Sequence, residues 1–383
     1  MKKIPFIILL ISVIFSSCEN GGWEFPDNDY TAVYFAYQTP VRTITLGTDY
    51  INDNSLDNKH QFQIMATVGG LREVKHDIVI NFEVDNSLCD NLANVTAMPS
   101  NYYELSNDSE IVIKKGSKMQ GGVVVTLTPE FFNDPLALTT NYVIPLVMTS
   151  VNGADSILVG KVADGVDAPN RVDKEDWAVL PKDYILFAVK YLNPWDAWYL
   201  RRGVDKITKD GGAPEEVIRK ENSPEYDKLI RLTSFSLLEL NFSADNHTTE
   251  NNTNLDMAFK LDFELSDFPA DFAHLPTPQK CTFANGAWKN SQLVNEYTGG
   301  TGTNTFRIFD IVVSGTGEYV IDGEKKSWGY KDRDALYLNY TVEYKYQQPA
   351  GSGTIRAMKY ETEDILVFRD RGVKPETFTP VLK

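Results

Sequence analysis

Three features of the 383-residue chain predict an all-β fold in two parts. Between Tyr30 and Val162, short apolar or alternating runs follow one another with turn residues between them. Beyond residue 183 the runs become longer and more aromatic, and no stretch of the chain carries a sustained helical period.

The first part contains Thr31–Tyr37, Arg42–Leu46, Gln61–Val68, Ile78–Val84, Glu110–Lys114, Gly122–Thr128, Tyr142–Met148 and Ile157–Val159. Regular spacing and β-branched content predict an immunoglobulin-like β-sandwich over residues 30–162. Pro145 lacks a backbone donor and belongs on an edge strand or at a bulge. Residues 163–182, rich in Asp, Pro and Asn and without apolar period, read as the linker.

The second part, residues 183–383, offers Tyr184–Leu192, Ala197–Arg202, Leu229–Phe242, Leu255–Leu265, Phe306–Ser314, Ala335–Tyr346, Thr354–Tyr360 and Ile365–Arg369. Alternation sustained over Leu336–Tyr346 suits a curved, closed sheet. The expectation is a C-terminal antiparallel β-barrel (lipocalin-like), with a second sandwich as the alternative. Lys209–Asp227 reads as a polar interruption with a helical turn, and Ser243–Asn254 as a hairpin tip.

The N-terminus gives an address. Lys2 and Lys3 precede an apolar run, Ile4–Phe15, too short for the roughly 20 residues of a membrane span, and Ser16-Ser17-Cys18 follows. Residues 1–17 read as a signal peptide, Cys18 as the lipidated residue of the mature chain, and 18–29 as a tether. Cleavage there leaves 35 basic and 53 acidic side chains. So acidic a surface repels phosphate, which excludes a nucleic-acid binder, and leaves the lipid as the attachment to the membrane. Cys89 and Cys281 stand far apart, one in each part, and read as separate buried thiols.

With Ile111-Val-Ile-Lys-Lys-Gly116, Val123-Val-Val-Thr-Leu-Thr128 and Tyr142–Thr149 in view, the chain resembles a family of Bacteroidetes surface lipoproteins from glycan-utilisation loci. Its first part looks like the β-sandwich domain of unknown function at their front. Its second part, with Trp195-Asp-Ala-Trp-Tyr-Leu-Arg-Arg-Gly203 and Asp332–Tyr340, looks like the uncharacterised barrel-like domain that follows. The resemblance implies a lipid-anchored, surface-exposed protein of the outer membrane that captures polysaccharide or oligosaccharide beside an outer-membrane transporter complex. It fixes no binding residue.

Catalytic signatures are missing from the sequence. His60, His76, His247 and His274 have no zinc spacing, and no nucleophile elbow, phosphate-cradling loop or dinucleotide fingerprint occurs, so no cofactor or metal is expected. Gly299-Gly-Thr-Gly302 reads as a hairpin loop. Glu239, Asp262 and Glu264 lie in strand-like runs, where acids pair with cross-strand bases more often than they form a hydrolytic pair. Asp164–Asp167 and Asp332–Asp334 lack the spaced oxygens of a calcium loop.

Aromatic residues are the positive signal, because sugar rings stack their C–H faces on flat rings beside hydrogen-bonding groups. The candidates are Trp195 and Trp198 after the Asn193-Pro194 turn, Trp288 and Trp328 in polar loops, and Tyr330, Asp332 and Arg333 as polar neighbours. Each tryptophan also fits a buried role at the end of a barrel. The functional expectation is a non-catalytic glycan-binding lipoprotein. The alternatives are a glycoside hydrolase or esterase with an unrecognised site, and a structural or adhesive subunit of a surface complex.

Overall fold

A computed structural model describes residues 28–248, 254–255, 257–289 and 292–383. The expected signal peptide, Cys18 and most of the tether lie outside the described residues.

Two sheets pack face to face in the first part. One has the strand order Ser156–Ile157, Ala32–Tyr34, Gln61–Gly69, Gln120–Leu127, Tyr103–Leu105. The other runs Glu376–Thr377, Pro40–Thr45, Tyr184–Leu192, Tyr142–Asn152, Ile78–Val84, Glu110–Ile113. Phe62 of the first sheet stacks on Phe187 of the second at 5.2 Å.

Tyr184–Leu192, expected to open the barrel at residue 183, is instead a central strand of the sandwich. It is parallel to Pro40–Thr45 and antiparallel to Tyr142–Asn152. Its continuous apolar run explains this, since both faces are buried. Ile185, Val189 and Tyr191 enter the main core, while Tyr184, Leu186 and Ala188 pack under Cys89, Leu92, Val95 and Val172. Val172 belongs to the expected linker, so part of that segment seals the sandwich. The two parts therefore meet at Asn193, not at residue 183.

Pro145 also departs from expectation, because its strand is flanked on both sides. Its carbonyl accepts from Asp85, at the point where the strand Ile78–Val84 has ended in a 3₁₀ turn. The missing N–H faces that same side, where the ladder needs no donor.

The second part closes. Ala197–Lys209, Lys228–Ser234, Glu239–Ala244, Met257–Phe263, Gln279–Phe283, Phe306–Trp328, Lys331–Gln347 and Ile355–Asp370 pair with their sequence neighbours, all antiparallel, and the last pairs with the first. This is the expected up-and-down barrel. Leu229–Phe242 proves to be a hairpin of two strands, and Thr354–Arg369 a single strand. Lys209–Asp227 holds a strand, Glu215–Arg219, and a 3₁₀ turn, Pro224–Tyr226. The glycine-rich segment is the expected hairpin loop, between Glu296–Gly299 and its partner Phe306–Phe309.

Side chains fill much of the barrel. At the end nearest the sandwich lie Trp195, Tyr199, Tyr319, Leu336 and Phe368; above them Phe242, Phe259, Phe283 and Tyr340 pack on one another, with the Arg201 guanidinium 5.2 Å from the Phe242 ring and bonded to the Tyr340 hydroxyl. The two parts share one apolar core. His60 and Phe132 of the sandwich pack on Phe268 at 4.7 and 5.6 Å, and Tyr50 donates to Asp334 at 2.8 Å. The buried Arg371 guanidinium donates to the carbonyls of Thr48, Asn193, Pro194 and Asp196.

Candidate functional site

The structure sorts the sequence-predicted residues into core and surface. Trp195 is fully buried, stacked on Phe263 at 3.7 Å, with its indole N–H donated to Gln279 at 2.6 Å. The turn expected to display it folds it into the barrel end instead, because Asn193 caps that turn and ties it to the carbonyls of Ser236 and Glu239. Arg333 is buried too, its guanidinium 4.1 Å from the Tyr50 ring, so it serves the join between the two parts. Trp198 is half-buried with Arg231 over its ring at 5.7 Å.

Trp288 is on a short strand rather than a loop, paired with Ala258, between Phe235 at 5.3 Å and the Lys260 ammonium at 4.7 Å. Lys260 in turn holds Glu239 at 2.5 Å. That is the expected cross-strand acid–base pairing at Glu239; the 3.7 Å contact of Asp262 with Lys260 is made within one strand.

Trp328, Tyr330 and Asp332 come together at one place. The strands Phe306–Trp328 and Lys331–Gln347 extend beyond the barrel wall as a long hairpin joined by Gly329 and Tyr330, both with positive φ (58° and 59°). Two consecutive left-handed residues make the tight turn that matches strand twist. Glycine adopts this conformation freely, but tyrosine does so at a cost. Tyr330 is 90% exposed. Trp328 behind it is half-buried, with the Arg369 guanidinium 5.3 Å from its ring, and Asp332 is held by Lys325 at 3.2 Å and the Lys326 N–H at 3.0 Å.

The hairpin reaches a segment that sequence reasoning passed over. The Gly329 N–H points to the Glu225 carboxylate at 3.4 Å, and the next residue, Tyr226, is 76% exposed. The available signal was a large aromatic inside the polar run Glu221–Asp227. Tyr226, Tyr330 and Trp328 thus flank one contact, with Glu225, Asp332 and Arg369 as polar neighbours.

Inside the barrel next to this patch lies a charged network. Arg201 donates twice to one oxygen of Asp364, at 3.0 and 2.8 Å, and Tyr340 donates to the same oxygen at 3.0 Å. Arg219 bridges Asp205, at 2.7 and 3.0 Å, and Asp364, at 2.8 Å; Asn246 and Thr362 also donate to Asp205. Burial pushes the Asp205 carboxyl upward, but the Arg219 guanidinium and the other donors outweigh it and hold the group below its ordinary value. Among the described residues, no group of three or more His, Cys, Asp or Glu side chains is placed to hold a metal ion.

Fold and site together define a two-part all-β protein, a sandwich fused to a closed barrel, with an open aromatic patch on the barrel's outer side. A family model for an N-terminal domain matches residues 26–155, and the domain of unknown function DUF5627 matches residues 194–268 and 299–372, beginning where the sandwich gives way to the barrel. A solved Bacteroides ovatus protein of unknown function is 36% identical, over 93% of this chain and 100% of that one, with a TM-score of 0.73. The chain belongs to the family of that protein. Two further solved structures are similar at much lower levels. An auxiliary nutrient binding protein from Bacteroides thetaiotaomicron is 13% identical over 85% of this chain and 90% of that one (TM-score 0.31). Another Bacteroides ovatus protein of unknown function is 12% identical over 89% and 94% (TM-score 0.34). No curated protein matches the chain.

Proposed function

We propose that the chain is a non-catalytic glycan-binding protein, anchored at the outer membrane by a lipid on Cys18, that hands polysaccharide or oligosaccharide to an uptake system. The observation that carries this reading is that two highly exposed tyrosines, Tyr226 and Tyr330, each stand next in sequence to a partner of the Glu225–Gly329 contact. Exposed aromatic faces beside carboxylate and guanidinium groups suit the C–H faces and hydroxyls of a sugar. The positive φ of Tyr330 supports it further, since strain at an exposed tip is retained where the side chain has a use.

Isothermal titration of the mature chain against a panel of plant, host and microbial glycans tests the reading. Binding without release of shorter products is the expected result. Folded protein that binds none of them overturns it, and product formation replaces it with the hydrolase alternative. Labelling of Cys18, but not of Cys18→Ala, by a fatty-acid analogue in the expressing cell tests the anchor.

A further inference from the structure

Behind the aromatic patch the barrel wall is open. The strand Ala197–Lys209 pairs with Lys228–Ser234 along residues 197–201 and with Glu215–Arg219 along residues 203–207, on the same edge. Where one partner gives way to the other, a cleft of about 320 Å³ leads to the network inside, at the small end of the roughly 300–1,000 Å³ of ligand pockets. Four basic side chains, Arg201, Arg219, Lys220 and Lys228, line it together with three carboxylates, Glu221, Asp227 and Asp245.

Most of these charges pair with one another, which leaves the second Nη of Arg219 and the Lys220 ammonium against one remaining carboxylate, Glu221. Asp227 is taken by Arg202 at 2.6 Å and by the Glu221 N–H at 2.8 Å, and Asp245 by Lys228 at 2.6 Å. The Arg201 side chain is 1% exposed and already engaged, by Asp364, by Asp245 at 3.3 Å and by Asn246 at 3.1 Å. Arg219 uses Nε and one Nη on Asp205 and Asp364, so its other Nη has no partner among the described residues. A guanidinium oriented from behind by carboxylates, with a free N–H edge toward a small cavity, is a carboxylate receptor.

We propose that this cleft takes the carboxylate of an acidic sugar, so that the glycan recognised is a uronate-bearing one. The inference rests on the glycan-binding reading and names the substrate class of the same site. Tyr226 immediately precedes Asp227 and Lys228 of the cleft wall, so a chain of sugars lying on Tyr226 and Tyr330 brings a neighbouring ring to the cleft mouth. The acidic surface as a whole does not forbid this, because charges beyond about 8–10 Å are screened at physiological salt while the cleft cations act at contact.

The test is titration of the mature chain with an oligogalacturonate and with its methyl-esterified counterpart, at low and at high salt. The acid should bind about tenfold or more tightly than the ester, with the advantage shrinking as salt rises. The exposed double variant Lys220→Gln/Lys228→Gln should remove that advantage without changing the melting midpoint, whereas Tyr330→Ala should weaken acid and ester alike. Equal affinity for acid and ester, or binding of neutral glycans alone, overturns the cleft assignment and leaves the glycan-binding reading standing. No binding of any glycan overturns both.

Discussion

Arg201 and Asp364 form a two-pronged ion pair inside the barrel, both side chains withdrawn from water, with Tyr340 closing on the same carboxylate oxygen. Removing Asp364 leaves the buried Arg201 with only the longer contact to Asp245 at 3.3 Å and takes one of two carboxylates from Arg219, which costs more than the pair contributes. Asp364→Asn should lower stability by about 3–5 kcal/mol in urea unfolding. The double replacement Arg201→Met/Asp364→Leu should cost distinctly less. Equal losses would mean that the pair is not desolvated as described.

Trp195 and Tyr330 should behave as opposites. Trp195→Ala empties a site stacked on Phe263 and should cost about 3–5 kcal/mol in denaturant unfolding. Tyr330→Ala touches no core and should leave stability within about 0.5 kcal/mol. It should, however, weaken glycan binding about tenfold, the loss of roughly 1.4 kcal/mol of stacking.

His247 gives the barrel a pH dependence. Its ring is fully buried, stacks on Tyr360 at 3.9 Å, and neither nitrogen has a partner among the described residues. Burial, with Arg201 and Arg219 adding to it and Asp205 and Asp245 opposing, pushes its pKa down from 6.5 to about 3. Below pH 6.5 the unfolded chain takes up a proton that the folded chain refuses, so stability falls as pH drops from 6.5 toward 3. The slope is at most about 1.4 kcal/mol per pH unit. His247→Phe should flatten the curve of unfolding free energy against pH in this window, and an unchanged slope would refute the assignment.

Arg371 ties sandwich to barrel through backbone carbonyls of both. Arg371→Ala strands those acceptors and should cost on the order of 3–5 kcal/mol, with the single calorimetric transition moving down or splitting. Lysine should not rescue it, because a point charge cannot serve divergent carbonyls as a guanidinium does.

Cys89 and Cys281 are free and buried, in different parts of the molecule. Burial pushes their thiols up to about 11 and about 12, with neighbouring carboxylates adding to the shift. In a chain starting after Cys18, a thiol reagent should find neither in the native state at neutral pH and both in denaturant. Prompt native reaction would place at least one at the surface.

The barrel was legible where its pattern is local. Alternation along Leu336–Tyr346 shows in the structure as Leu336, Leu338, Tyr340, Val342, Tyr344 and Tyr346 all buried. The same local signal misassigned Tyr184–Leu192, whose partner Pro40–Thr45 lies some 140 residues earlier in the chain. Its lack of alternation was the clue that it is buried on both faces. For the aromatic residues, type and turn context were equally suggestive at Trp195 and Tyr330, yet one is core and the other is exposed.

By itself the sequence determined the all-β class, the sandwich-then-barrel order and the strands whose hydrophobic period repeats within one segment, because those follow from the two-residue alternation of a pleated chain. Only the tertiary structure decided where the sandwich ends, which tryptophans are core, and that Glu225 meets the Gly329–Tyr330 turn beside the Arg201–Arg219 cleft. These are contacts between segments far apart in the chain. They depend on barrel closure and on how far a hairpin extends past it, and no local run of residues encodes either.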